Sequence, residues 1–132
     1  MSTTAYDFSI NRHQLNLPLV ANATKKVVYT AGRDEKILGI SLLAMAAPTS
    51  ASGTALFTAG KGAAAGTNLL GSTNFSIETL TDGVRSEMTL TATTADLNLS
   101  EGDTVEFKVV SNNADMVVTG DNLGILLETV AR

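Results

Sequence analysis

The chain has no cysteine and no tryptophan, and only one histidine and two prolines among its 132 residues. Without thiols there is neither a disulfide framework nor a thiolate metal site, as expected of a protein assembled in a reducing cytoplasm. One histidine cannot supply the usual zinc ligand set. No D-x-D-x-D run offers clustered oxygen ligands for calcium. No cofactor is therefore expected.

Charge is also scarce. Asp, Glu, Lys and Arg make up 17% of the chain, against about a quarter in ordinary globular proteins. The nine basic residues are scattered, with Lys25-Lys26 the only adjacent pair, and the net charge is −4. Six aromatics and no basic stripe argue against nucleic acid as a partner, and the acidic balance opposes anionic membranes. The longest apolar stretch, "ILGISLLAMAAP" (37–48), is too short for a bilayer and is interrupted by Gly39, Ser41 and Pro48. "MSTTAYDFSINRHQ" has no apolar run suited to a signal peptide. The expectation is a soluble protein made in the cytoplasm.

What remains is 44% hydrophobic, with a mean hydropathy of +0.17. Two readings fit that excess: a surface that meets other protein, or a small, well-packed β domain with a Ser/Thr/Asn exterior. A single domain of this length buries a core without staples.

Alternation at period two dominates the chain. Residues 1–24 are polar and are expected to form an extended N-terminal arm, with one short strand at "LNLPLVA" (15–21) that Pro18 confines to a sheet edge. From Lys25 onward strands are expected at "KKVVYT" (25–30), "KILGISLLAMAA" (36–47, buried on both faces) and "TALFTAG" (54–60). "NFSIETL" (74–80), "SEMTLTA" (86–92) and "LGILLETV" (123–130) follow, with "MVVT" (116–119) between turns. In "LNLSEGDTVEFKVV" (97–110), Leu97, Leu99, Val105, Phe107 and Val109 point inward around a Gly102-Asp103 turn. Short strands at this spacing predict an all-β fold, an antiparallel β-sandwich or barrel, over residues 25–132.

Reactive constellations are thin. His13 falls in the expected arm, where a solvated or interface-packed ring outweighs a catalytic one. Asp34-Glu35, Asp82, Glu101, Asp103, Asp115 and Asp121 all fall in predicted turns, where such side chains ordinarily hydrogen-bond the backbone. Glycosidase chemistry needs two carboxylates roughly 5 to 10 Å apart across a cleft, which a sequence does not reveal. "GKGAAAG" (60–66) fits neither phosphate-loop pattern and reads as a glycine-rich connection. Sugar stacking needs exposed aromatics, and only Tyr6, Phe8 and Tyr29 fall outside predicted inward faces.

Three stretches carry a resemblance. "VVYTAGRDEKILGISLLAMAAPTSASGTALF", "NFSIETLTDGVRSEMTLTATTADLNLSEGDTVEFKVV" and "NLGILLETVAR" are together similar to small bacteriophage virion proteins, best matching the capsid decoration (cement) proteins. The Gly102-Asp103 turn also resembles that of jelly rolls of the tumour-necrosis-factor and complement type. The resemblance covers about residues 25–132 and implies a jelly-roll-like sandwich on the capsid exterior that clamps neighbouring capsomers. It further implies a homotrimer that binds the major capsid protein, without enzymatic activity or a small-molecule substrate. The arm would reach adjacent subunits, with Tyr6, Phe8, Leu15, Leu17 and Leu19 as the capsid or subunit contacts. The alternative is a head-fibre or tail-associated β module that binds a host glycan. A hydrolase using turn carboxylates is a third and weaker reading.

Overall fold

The computed structural model describes residues 9–49, 54–62, 66–112 and 122–132. The strands are β1 (Ile10–Pro18), β2 (Thr24–Thr30), β3 (Glu35–Ala44), β4 (Ala55–Lys61), β5 (Thr67–Asn68), β6 (Phe75–Ser76), β7 (Ser86–Glu87), β8 (Asn98–Leu99), β9 (Thr104–Ser111) and β10 (Asn122–Ala131). They form two sheets with every pairing antiparallel. One has the order β1-β10-β3-β7, with β8 also on β3; the other runs β2-β9-β4-β5, with β6 also on β4. The all-β sandwich expected from the alternation is the fold observed.

β9 shows why the strands form. Its residues alternate between half-buried and buried along the whole strand, with Val105, Phe107 and Val109 inside. A one-residue slip would turn all three to solvent, so burial fixes the register. β3 solves a harder problem, since Ile37 and Ile40 both belong in the core at an odd spacing. A β-bulge reconciles them: Glu128 pairs with Gly39 and the next residue, Thr129, pairs with Ile37. Leu38 is thus left over and lies 41% exposed. Gly39 and Ser41, on the opposite face from Ile40 and Leu42, are also buried, so β3 is covered on both sides as expected.

The two sheets meet differently along their two sides. On one side main-chain bonds stitch them together. Leu69 N–H donates to Ala59 O (2.9 Å), Gly71 N–H to Thr89 O (2.8 Å) and Thr91 N–H to Leu69 O (2.9 Å). Gly71 packs closely there: a Cβ would stand 3.0 Å from the Thr89 methyl. On the other side lie the edge strands β1 and β2, which are not paired to each other. The β8–β9 turn has Gly102 at φ +89°, the left-handed region that glycine enters freely.

Three expectations change. Residues 10–18 are not part of an arm: β1 pairs with β10 from Ile10↔Val130 to Pro18↔Asn122. The edge strand expected at 15–21 is present, with Leu15 and Leu17 turned inward, but it starts earlier, at Ile10, and ends at Pro18. "NFSIETL" keeps only β6 as strand before a 3₁₀ turn over Ile77–Thr79. There Thr79 Oγ1–H donates to Ser76 O (2.7 Å), and Glu78 Oε1 accepts the Ala55 N–H of β4 (2.6 Å) that a longer strand would use. "SEMTLTA" pairs with β3 over Ser86 and Glu87, with Met88 N–H the last to bond it, and then turns to the 69–71 segment, where Leu90 bridges Leu70. "MVVT" lies outside the described residues.

The centre of the core is the stacked pair Phe57 and Phe107, with ring centroids 6.1 Å apart and planes at 15°. Both are fully buried. Phe107→Ala should cost about 3–5 kcal/mol, read as a lower denaturant midpoint at unchanged slope.

Candidate functional site

Four polar residues follow the inward alternation of their strands and meet at one end of the sandwich. His13 is in phase with Leu15 and Leu17 on β1, and Tyr29 with Val27 on β2. Glu35 is in phase with Ile37 on β3, and Thr129 with Leu127 and Ile125 on β10. Glu35 is only 2% exposed and Thr129 is fully buried. A buried carboxylate needs donors, and it finds one from each sheet. Tyr29 O–H from the second sheet donates to Glu35 Oε1, and Thr129 Oγ1–H from the first donates to Oε2 at 2.9 Å.

Those two bonds determine the role of the histidine Nε2. His13 Nε2 lies 3.2 Å from Thr129 Oγ1 and 3.3 Å from the Tyr29 hydroxyl. Each hydroxyl has one proton, and Glu35 takes both. Nε2 must therefore carry a hydrogen and donate. This leaves Nδ1 with no partner among the described residues. The rings of His13 and Tyr29 lie 4.5 Å apart at 42° and span the open side between β1 and β2.

Burial raises the Tyr29 pKa well above the usual 10, and the hydrogen bond and negative charge of Glu35 raise it further; Arg33 opposes this more weakly. Outside the network lies an open depression of about 470 Å³ lined by Asn11, His13, Tyr29, Thr30, Arg33 and Glu35. Asn11, which lines it, has its Nδ2 buried with no hydrogen-bond partner among the described residues. The surrounding loops are tied down. Ala31 N–H donates to Asp103 O and Gly102 N–H to Ala31 O (2.8 Å each), and Arg132 Nε–H donates to Glu35 O (3.1 Å).

The sequence-predicted contact residues do not come together here. Leu17 is fully buried, Leu19 is 7% exposed, and Leu15 packs against the core. Leu15 and Leu17 lie in β1 and Leu19 just follows it; Leu17 and Leu19 turn into the core, while Leu15 is half-buried. Tyr6 and Phe8 lie outside the described residues, as do Asp115 and Asp121. Asp34, Asp82 and Asp103 all accept backbone N–H groups, from Glu101 (2.9 Å), Ala47 (2.7 Å) and Ser100 (2.9 Å); only the Asp103 bond closes its own turn, and the other two tie separate loops together. Glu35 does not behave so: it opens β3 and turns inward.

A second cavity, about 140 Å³, is lined by Leu70, Phe75, Glu87 and Met88 among others. Each of these two cavities has one carboxylate in its lining, short of the pair that glycosidase chemistry needs. Among the described residues no group of three or more His, Cys, Asp or Glu could hold a metal ion. Among them, too, no helix is long and apolar enough to cross a membrane. No protein-family model, no curated protein and no solved structure matches this chain.

The raised Tyr29 pKa makes a pH prediction. The folded state retains a proton that the unfolded chain releases above about pH 10, so the unfolded state binds fewer protons there and stability falls as pH rises. Tyr29→Phe removes the titrating group. The variant should be less stable at pH 7, because Glu35 loses a donor, yet lose less further stability between pH 9 and 11 in paired urea titrations.

Proposed function

We propose that the chain is a structural virion protein that decorates the outside of a bacteriophage head, binding the major capsid protein as a homotrimer and stabilising contacts between capsomers. The observation that carries this reading is the strand order. β1-β10-β3-β7 facing β2-β9-β4-β5, with the chain alternating between sheets through its first four strands, supports a jelly roll, an architecture recurrent in capsid modules.

The ends of the sandwich suggest which surface docks. At the end away from Glu35, Leu17 and Ala44 both pair with Leu123. Beyond that row Val20, Met45 and Val84 are 43%, 65% and 53% exposed. Gly83 N–H donates to Ala44 O (2.8 Å), and the Met45 Cε methyl lies over Gly83, which brings Met45 and the 81–84 loop together. Apolar side chains presented together on a rigid frame suit a protein partner better than water does. A shell that binds many copies in its assembled form is stabilised by mass action, without any reactive group.

Attachment to purified heads tests this reading. Met45→Asp with Val84→Asp should weaken co-sedimentation at least tenfold while leaving the thermal midpoint nearly unchanged, because both side chains are exposed. Removing residues 1–8 separates the terminus from this end as the source of contact. A double variant that attaches as well as the parent would rule out the apolar end as the docking surface.

A further inference from the structure

The depression at the Glu35 end has the chemistry of a ligand site. Its lining mixes donors and acceptors: the Arg33 guanidinium, the Thr30 hydroxyl, the Asn11 amide and the His13 imidazole. Charge is balanced across it, with the Glu35 carboxylate in the floor and Arg33 at the exposed rim. An anion would meet Glu35 and a cation would meet Arg33, so neither is favoured. The tilted His13 and Tyr29 rings provide an aromatic wall. The floor is pre-organised, because Tyr29, Thr129 and His13 are already committed to one hydrogen-bond pattern.

The amide of Asn11 is the sharpest pointer. A buried donor without a partner among the described residues is unfavourable, and Asn11 belongs to the lining of the depression. At about 470 Å³ the space lies within the range of small-molecule sites.

We infer that this end binds a neutral saccharide, its hydroxyls meeting Asn11, Thr30, Arg33 and His13, and a ring face lying against Tyr29. A polyol is the ligand whose groups each donate and accept, as this lining does, and which carries no charge for Glu35 or Arg33 to oppose. The site lies at the opposite end from Met45 and Val84, so it does not depend on capsid docking.

The test is a heteronuclear NMR titration of the full chain with glucose, galactose, mannose and N-acetylglucosamine, and with glucuronic and N-acetylneuraminic acids as charged counterparts. Saturable shifts at Thr30, Gly32 and Arg33 are expected with at least one neutral sugar at millimolar concentration. Arg33→Ala and Asn11→Ala should each weaken binding by about tenfold, and the exposed Arg33 can be removed without touching the core. The absence of saturable shifts at these residues, tighter binding of the acidic sugars, or full binding by both variants would each overturn the assignment.

Discussion

The Glu35 carboxylate is the constraint around which this sandwich is arranged. At 2% exposure it sits where an isolated charge is strongly unfavourable, and it is tolerated because Tyr29 and Thr129 donate to its two oxygens. Those donors belong to different sheets. The carboxylate therefore does more than satisfy itself: it fixes how β2 lies across β3 and β10 on the side where no main-chain ladder joins the sheets. His13 completes the arrangement from β1, donating to the same two hydroxyl oxygens. Breaking one member leaves a buried charge short of a donor, which is why a buried polar network specifies geometry more sharply than apolar packing does.

The contrast between the two sides follows from this. Where Leu69, Gly71 and Thr91 bond across, backbone groups close the sandwich and side-chain identity matters little apart from the glycine. Where β1 and β2 face each other, closure rests on side chains alone. Such an edge is ordinarily a site for unwanted strand pairing. Here β1 ends in Pro18, and β2 carries Lys25 and Lys26, with Lys26 Nζ 3.8 Å from Glu106. Both features discourage another strand from adding. The same open side gives the polar network its access to solvent.

Much of this was legible in period-two patterning. Val105, Phe107 and Val109 in β9, and the doubly buried β3, follow from alternation and from the absence of charge. Asp103 read correctly because it follows Gly102 and accepts the N–H of Ser100 within its own turn, whereas Asp34 accepts the distant Glu101 N–H. Residues 10–14, the first half of β1, did not read as a strand, since Asn11 and His13 occupy inward positions that the pattern reserves for apolar side chains. Glu35 was hidden for a related reason: it follows Gly32, Arg33 and Asp34, and a charged residue after such a run looks like more turn. The signal was present all the same. Carried through polar residues, the alternation puts His13, Tyr29, Glu35 and Thr129 on inward faces. Only the register, with Asn11 opposite Thr129 and Glu35 opposite Ala131, shows that His13, Glu35 and Thr129 share one end, and only the packing of the sheets brings Tyr29 to it.

The bulge at Leu38 joins the core to the network. Counting inward positions along β3 at strict period two from Ile40 would put Glu35 outside, because five residues separate them. The extra residue shifts the phase, so Ile37 and Glu35 both turn inward. Without it, satisfying the apolar half of β3 would expose Glu35, and Tyr29 and Thr129 would face each other without the acceptor that orients them. One exposed leucine on the outer face is thus the structural condition for a polar end on the inner face. An apolar end and a polar end can then coexist on one continuous strand, and the domain can present different chemistry at its two poles.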